Sequence, residues 1–194
     1  MDFRCLTITE EAIAFLTELE KKDMPNFESY VTLFKHTPDA LRLAGLNDLP
    51  IIIPKRKATM GINIGKGEVH GHRGEYSSTR LMKTLAQLGN PVTVLKNDDA
   101  VGAYVETLDN VGKPMFICIK ARKDANVVTS VYGDRRLKKD RDTIVYIDDT
   151  RLPNIWKGGN SDTKIMRNRL TDIAYRGKAM LRSGISRKDL RELI

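Results

Sequence analysis

The fold class of this chain is decided by the stretch VVTSVYG at residues 127–133. Its β-branched residues, its tyrosine and its closing glycine are typical of a strand that ends in a turn. Similar runs lie upstream at residues 92–95, 103–108 and 114–120, with Asn, Asp and Gly residues between them. Together these runs predict a meander of about four antiparallel strands, and the run at residues 142–147 predicts a fifth strand.

Helical patterns precede and follow the predicted sheet. Apolar residues at helical spacing predict a first helix after Thr9 and a second helical piece over residues 27–35. The stretch TPDALRLAG at residues 37–45 predicts a short helix with Thr37 as its N-cap and a glycine as its stop. Further expected elements are a short edge strand or extended segment at 49–54 and helices at 77–89, 161–179 and 186–193.

The order of these elements predicts an α+β protein, because helices come first, the sheet next and helices last. A length of 194 residues fits one domain with helical extensions. We therefore expect an N-terminal helical extension at residues 1–34 and an α+β core at residues 35–155. Residues 156–194 are expected to form basic C-terminal helices packed on that core.

The chain is basic, with a formal net charge of +8 and a pI near 9.5. From residue 151 to residue 194, eleven Lys and Arg stand against four Asp and Glu. A positive surplus attracts polyanions. No apolar run is long enough to predict a membrane helix, and the N-terminus lacks the pattern of a signal peptide. We therefore expect a cytoplasmic protein with no membrane partner, in which Cys5 and Cys118 are reduced thiols.

Six motifs occur in an order that resembles a known family. TPDALRLAG is followed by LPIII, by His70 and His72 in a glycine-rich stretch, by a Leu-rich helix ending in Asn-Pro, by a GKP turn and by the TSVY strand. This order resembles the C-terminal domain of phage MuF-type proteins, within the barnase/EndoU/colicin/RelE-like group of RNases, over roughly residues 35–150. The resemblance implies a small antiparallel sheet with a helix on one face and RNA across the other. It also implies cleavage without a metal, in which the 2′-hydroxyl of the RNA attacks the adjacent phosphate and leaves a 2′,3′-cyclic end.

Such a reaction needs a base, an acid and groups that stabilise charge on the phosphate. His70 and His72 are candidates for proton transfer, because the unperturbed histidine pKa lies near 6.5. The family spacing fits His72 better, and which of the two acts stays open. His36 is expected to be a surface or structural residue. The His-x-His spacing could also bind zinc, but no further ligand stands at metal-site spacing. Neither a metal nor a cofactor is therefore expected.

Ser130 and Tyr132 are two residues apart on a predicted strand, so their side chains are expected on one face of the sheet. Ser130 is a candidate for binding a phosphate oxygen, and Tyr132 for stacking on a base or orienting the phosphate. Val127, Thr129 and Val131 are assigned to the opposite, packed face. The candidate charge stabilisers for RNA binding are Arg73, Arg80, Lys120 and Arg135.

The sequence thus favours a metal-independent endoribonuclease of toxin or phage effector type, acting on RNA inside a host cell. An immunity protein or a host protein is a further partner to expect. One alternative is a catalytically inactive factor that binds RNA or a host protein on the same fold. Another alternative is a virion-associated structural module.

Overall fold

The computed structural model describes residues 6–19, 29–62, 77–97, 100–109, 112–133, 143–148 and 150–152. Within these residues one seven-stranded sheet is covered by short helices. The helices are α1 (Glu10–Glu18), α2 (Asp39–Arg42), α3 (Lys55–Ile62) and α4 (Ser78–Ala86), which continues into a 3₁₀ turn (Gln87–Gly89). The strands are β1 (Tyr30–Phe34), β2 (Ile51–Pro54), β3 (Thr93–Asn97), β4 (Ala100–Leu108), β5 (Pro114–Ala121), β6 (Asn126–Gly133) and β7 (Thr143–Ile147).

The sheet is mixed, with the strand order β1-β2-β6-β5-β4-β3-β7. β2 and β6 pair in parallel, and every other neighbouring pair is antiparallel. The structure confirms the α+β class. The expected antiparallel strands correspond to β3–β6 and β7, but the sheet is larger than expected and mixed, because β1 and β2 extend it beyond β6. β2 is also not an edge strand, since it lies between β1 and β6.

The second helical piece expected at residues 27–35 is also wrong, because Tyr30–Phe34 forms β1. Val31 and Leu33 are buried, whereas Tyr30 is exposed and Thr32 is half-buried, which is the alternation of a strand. On the opposite side of β1 from β2, the Thr9 amide donates to the Leu33 carbonyl at 2.9 Å. The first helix follows Thr9 as expected, because the Thr9 hydroxyl accepts from the Ala12 amide. The C-terminal helices expected at residues 156–194 lie outside the described residues.

All four helices contribute to a core on one side of the sheet, which we call the helical face. The largest cluster of buried apolar side chains joins α1 and α4 to alternate positions on the strands. The N-cap of α4 is Ser77, whose hydroxyl accepts from the Arg80 amide at 3.2 Å, and the helix buries Leu81 and Leu85. The strand residues on this face include Val94, Ala103, Val105, Ile117, Ile119 and Val128. This packing leaves the other side of the sheet, the second face, for a separate and smaller apolar cluster.

The stretch TPDALRLAG joins β1 to β2 through a buried polar cluster. Pro38, not Thr37, occupies the N-cap position of α2, so the expected cap is wrong. The fully buried Thr37 hydroxyl instead lies 2.7 Å from the Leu49 carbonyl and accepts from the Asn126 amide group at 2.8 Å. Asn126 also donates to the Asn47 carbonyl at 3.0 Å. These bonds fasten the β1–β2 connection to the first residue of β6.

Candidate nucleic-acid interface

A β-bulge in β6 decides which of its side chains reach the second face. Cys118 of β5 pairs with Ser130, but the next residue, Ile119, pairs with Val128. Thr129 is therefore the extra residue of a bulge, and its hydroxyl lies 3.3 Å from the Cys118 carbonyl, to which it donates. The bulge lets Val128 face the helices while Ser130 faces the other way.

The bulge also corrects the expected facing of β6. Ser130 and Tyr132 share one face, as their spacing predicts, and Val131 packs towards the helical face. Val127 was expected on the packed face, but it pairs with Lys120 on the second face. Val128 is the fully buried residue of this pair of valines. Simple alternation fails here because it does not count the extra residue in the strand.

Three aromatic rings cross the second face from β4 to β6. The ring centroids of Tyr104 and Phe116 are 4.6 Å apart, and those of Phe116 and Tyr132 are 5.6 Å apart in an edge-to-face arrangement. The row can form because β4 has Gly102 under Phe116, where any Cβ would collide with the phenyl ring. Tyr104 is buried, whereas Tyr132 is half-buried at the end of the row. Tyr132 is thus the ring of this row that is accessible on β6.

Three polar or polarisable side chains lie next to Tyr132 at this end of the row. Ser130 is exposed and stands directly opposite Cys118, whose sulfur lies 3.9 Å from the Tyr132 hydroxyl oxygen. Lys120 is two residues further along β5 on the same face, so its Cα lies about 7 Å from that of Cys118. The Lys120 side chain is long enough to reach across this distance. We call Cys118, Lys120, Ser130 and Tyr132 the β5–β6 patch.

The patch offers groups that suit a phosphate and a base. A serine hydroxyl donates to phosphate oxygens, and a lysine ammonium supplies three donors and a positive charge. A partly exposed tyrosine ring can stack on an unpaired base. The arrangement can therefore hold a nucleotide and offset charge on its phosphate.

The opposite end of the second face is stabilised by an arginine. The Arg151 guanidinium donates to Asp148 at 2.6 Å, to the Asn90 carbonyl at 2.9 Å and to the Pro91 carbonyl at 3.0 Å. The Nη1 atom of Arg151 also lies 3.9 Å from the Glu106 carboxylate. Burial raises the pKa of the Asp148 carboxyl, but hydrogen bonds from Thr150 and Arg151 and the arginine charge lower it more. The pKa of Asp148 therefore lies below its usual value of 3.8.

The structure places only some of the expected site residues together. Lys120, Ser130 and Tyr132 share the patch. Arg80 does not join them, because it lies on α4, which packs against the helical face on the other side of the sheet. His36 is exposed, with its ring 3.5 Å from Asp48, as expected of a surface residue. The expected residues His70, His72, Arg73 and Arg135 lie outside the described residues.

Sequence reasoning missed Cys118 in the patch and two residues next to the patch, Arg122 and Lys123. Cys118 lies two residues before Lys120 on β5, so the alternation of side chains along the strand could have placed both on the same face. Arg122 and Lys123 follow in the β5–β6 turn and are exposed. Arg122 and Lys123 could have been found from the sequence, because they lie in the turn between the two strands that carry the patch.

The described part of the chain contains no cluster of three or more His, Cys, Asp or Glu residues that could hold a metal ion. In the same ranges, no helix is long and apolar enough to cross a membrane. Comparison of the chain with protein-family models, with curated proteins and with solved structures finds no match.

Proposed function

We propose that this protein is a metal-independent endoribonuclease that binds RNA across the β5–β6 patch. The observation that supports the proposal best is the placement of Ser130, Tyr132 and Lys120 on one face of two paired strands. In the described part of the chain, helices α1 to α4 all contribute to the core on the helical face, and an extended polymer would lie along the strands of the second face.

The residues divide the work by their chemistry. Lys120 and Ser130 hold the scissile phosphate and offset the charge that develops on it. Tyr132 stacks on a neighbouring base and fixes the register of the RNA. His72, with His70, supplies the proton transfers that let the 2′-hydroxyl attack and the 5′-oxygen leave. The products are a 2′,3′-cyclic phosphate and a 5′-hydroxyl, so atoms and charge balance without a metal or an added nucleophile.

The experiment is incubation of the purified protein with total RNA in EDTA, followed by analysis of product ends. We expect fragments with 2′,3′-cyclic phosphates. The substitution His72→Ala should lower the cleavage rate roughly 100-fold, as loss of acid–base assistance does. His36→Ala is the matched control, since His36 is exposed and lies on the β1–β2 connection. Full activity of His72→Ala and of His70→Ala would remove both histidines from the mechanism.

A second candidate is RNA binding without cleavage. One observation favours it: among the described positions of β5 and β6 that face outward with the patch, none is a His, Asp or Glu. A protein of this kind would slow the migration of RNA in a gel, with an affinity that falls as salt rises, and would leave the RNA intact in the same incubation. Intact RNA with retained binding therefore selects this function over the nuclease.

A further inference from the structure

The charges along the second face are distributed unevenly from one end of β6 to the other. Beyond Tyr132, Gly133 pairs with Met115 of the helical face, and the buried Asp109 carboxylate, which accepts from the Lys113 amide at 2.7 Å, packs against Gly133 on that side of the sheet. Glu106 of β4 and Asp148 after β7 lie near Arg151 at this level of the strands, two and four strands away from β6. Among the described residues, the second face therefore carries both anions and cations at this level.

The end where β6 begins is different. Lys120 is followed by Arg122 and Lys123 in the β5–β6 turn, and the acidic residue of that turn is Asp124. Within the described chain, no ion pair involves Arg122 or Lys123. Cations outnumber anions here, and the two turn cations are exposed. A polyanion lying on the patch is drawn towards this turn.

The turn is also held in place by buried contacts. The Arg122 amide donates to the Ala125 carbonyl at 2.9 Å, which closes the turn. The Asn126 amide donates to the Pro50 carbonyl at 2.8 Å, and the fully buried Asn126 side chain bonds to Thr37. The backbone that carries the two cations is thus fixed to the sheet before any ligand arrives. Preorganised donors lose less entropy when they bind than donors on a free loop.

We propose that the RNA strand runs from Tyr132 along β6 to the β5–β6 turn, where Arg122 and Lys123 bind the phosphates that follow the one held at Ser130. This inference rests on the proposed binding of RNA to the patch and adds the direction of the strand and two binding residues. Arg122 and Lys123 set affinity by neutralising the backbone and leave the chemistry at the patch unchanged.

The test measures how RNA affinity depends on salt. The probe is a fluorescein-labelled single-stranded 2′-O-methyl RNA, which lacks the attacking hydroxyl and stays intact during titration. The full chain is compared with R122A/K123A and with the matched control R56A/K57A, which removes the same charge from the exposed start of α3. Thermal unfolding of each variant checks the fold, and R122Q/K123Q replaces the alanine pair if its unfolding midpoint falls.

Each phosphate contact with single-stranded nucleic acid adds about 0.7 to the magnitude of the slope of log K against log salt. We expect R122A/K123A to reduce the slope by about 1.4, and R56A/K57A to leave the slope near that of the unchanged chain. Equal slopes for the two double variants would overturn the assigned path but leave RNA binding in place. Failure of the unchanged chain to bind the probe would instead overturn the proposed function, and the path with it.

Discussion

Arg151 shows how a single residue can join two segments of this fold. Its guanidinium bonds to Asp148 after β7 and to the carbonyls of Asn90 and Pro91 before β3. The Arg151 side chain is 21% exposed, and so is that of Asp148. A charged group this enclosed is costly to leave unpaired. The pair therefore stabilises the far edge of the sheet and, with it, the end of the second face.

The Asp148 carboxyl makes this contribution depend on pH. Its pKa is lower in the folded state than in the unfolded chain, so the stabilisation is present above about pH 4 and is lost as the pH falls through the lower, folded pKa. We expect Asp148→Asn to lower the free energy of unfolding by about 1–3 kcal/mol at pH 7. The difference between variant and wild type should shrink at pH 3, as urea unfolding at both pH values would show.

Asp39→Asn is the matched control, because Asp39 also pairs with an arginine three residues along the chain, but Arg42 is exposed and this pair is more open to solvent than Arg151–Asp148. Exposed pairs contribute little, so this substitution should change stability by less than about 0.5 kcal/mol. An Asp148→Asn variant that is as stable as wild type at pH 7 would contradict the assignment.

Among the strands, β6 gives both a correct and a wrong prediction of the face that its side chains occupy. The spacing of Ser130 and Tyr132 predicts their shared face correctly, because both lie on the same side of the bulge. Val127 lies beyond it, and the extra residue reverses its facing. A bulge depends on the partner strand, so alternation read from β6 alone could not reveal it.

Deletion of Thr129 should therefore be tolerated. Without Thr129 the pairs Cys118–Ser130 and Ile119–Val128 become consecutive, and both residues of β6 keep their faces. We expect the free energy of unfolding to change by about 1 kcal/mol or less, a typical surface effect. Chemical denaturation of the deletion variant measures it directly.

Deletion of Val131 is the matched comparison. It would move Tyr132 into the position opposite Ile117, on the helical face, where the core has no place for a larger ring and a hydroxyl. The cost should be about 3 kcal/mol or more. Equal stability of the two deletion variants would show that Thr129 is not a bulge residue.

The error at β1 has a similar physical origin. In YVTLF the apolar residues Tyr30, Val31, Leu33 and Phe34 fit both a helical face and the alternation of a strand. Pairing with β2 decides between the two, and β2 lies some twenty residues further along the chain. The strands β3–β6 were easier to predict because each pairs with its neighbour in sequence, and β4, β5 and β6 are eight or nine residues long.

At the scale of the whole molecule, the two faces of the sheet have separate roles. The helical face contains most of the apolar core and supplies stability. The second face has the aromatic row and the β5–β6 patch, which we assign to RNA. The spacing of Ser130 and Tyr132 predicts that these two residues face outward together, but the sequence does not place Arg80. Arg80 is a candidate by its charge alone, and α4, which carries it, packs on the helical face.

The claim that the patch acts on RNA is tested most directly by its effect on cleavage. The measurement is the rate at which 2′,3′-cyclic phosphate ends form from total RNA in EDTA. The variants are K120A/S130A in the patch and the matched control K57A/T79A, which removes an exposed lysine and an exposed hydroxyl from the helical layer. We expect the control to match wild type and K120A/S130A to be about 100-fold slower, as loss of a charge-stabilising donor gives. Equal rates for the two double variants would contradict the assignment of the second face as the active surface.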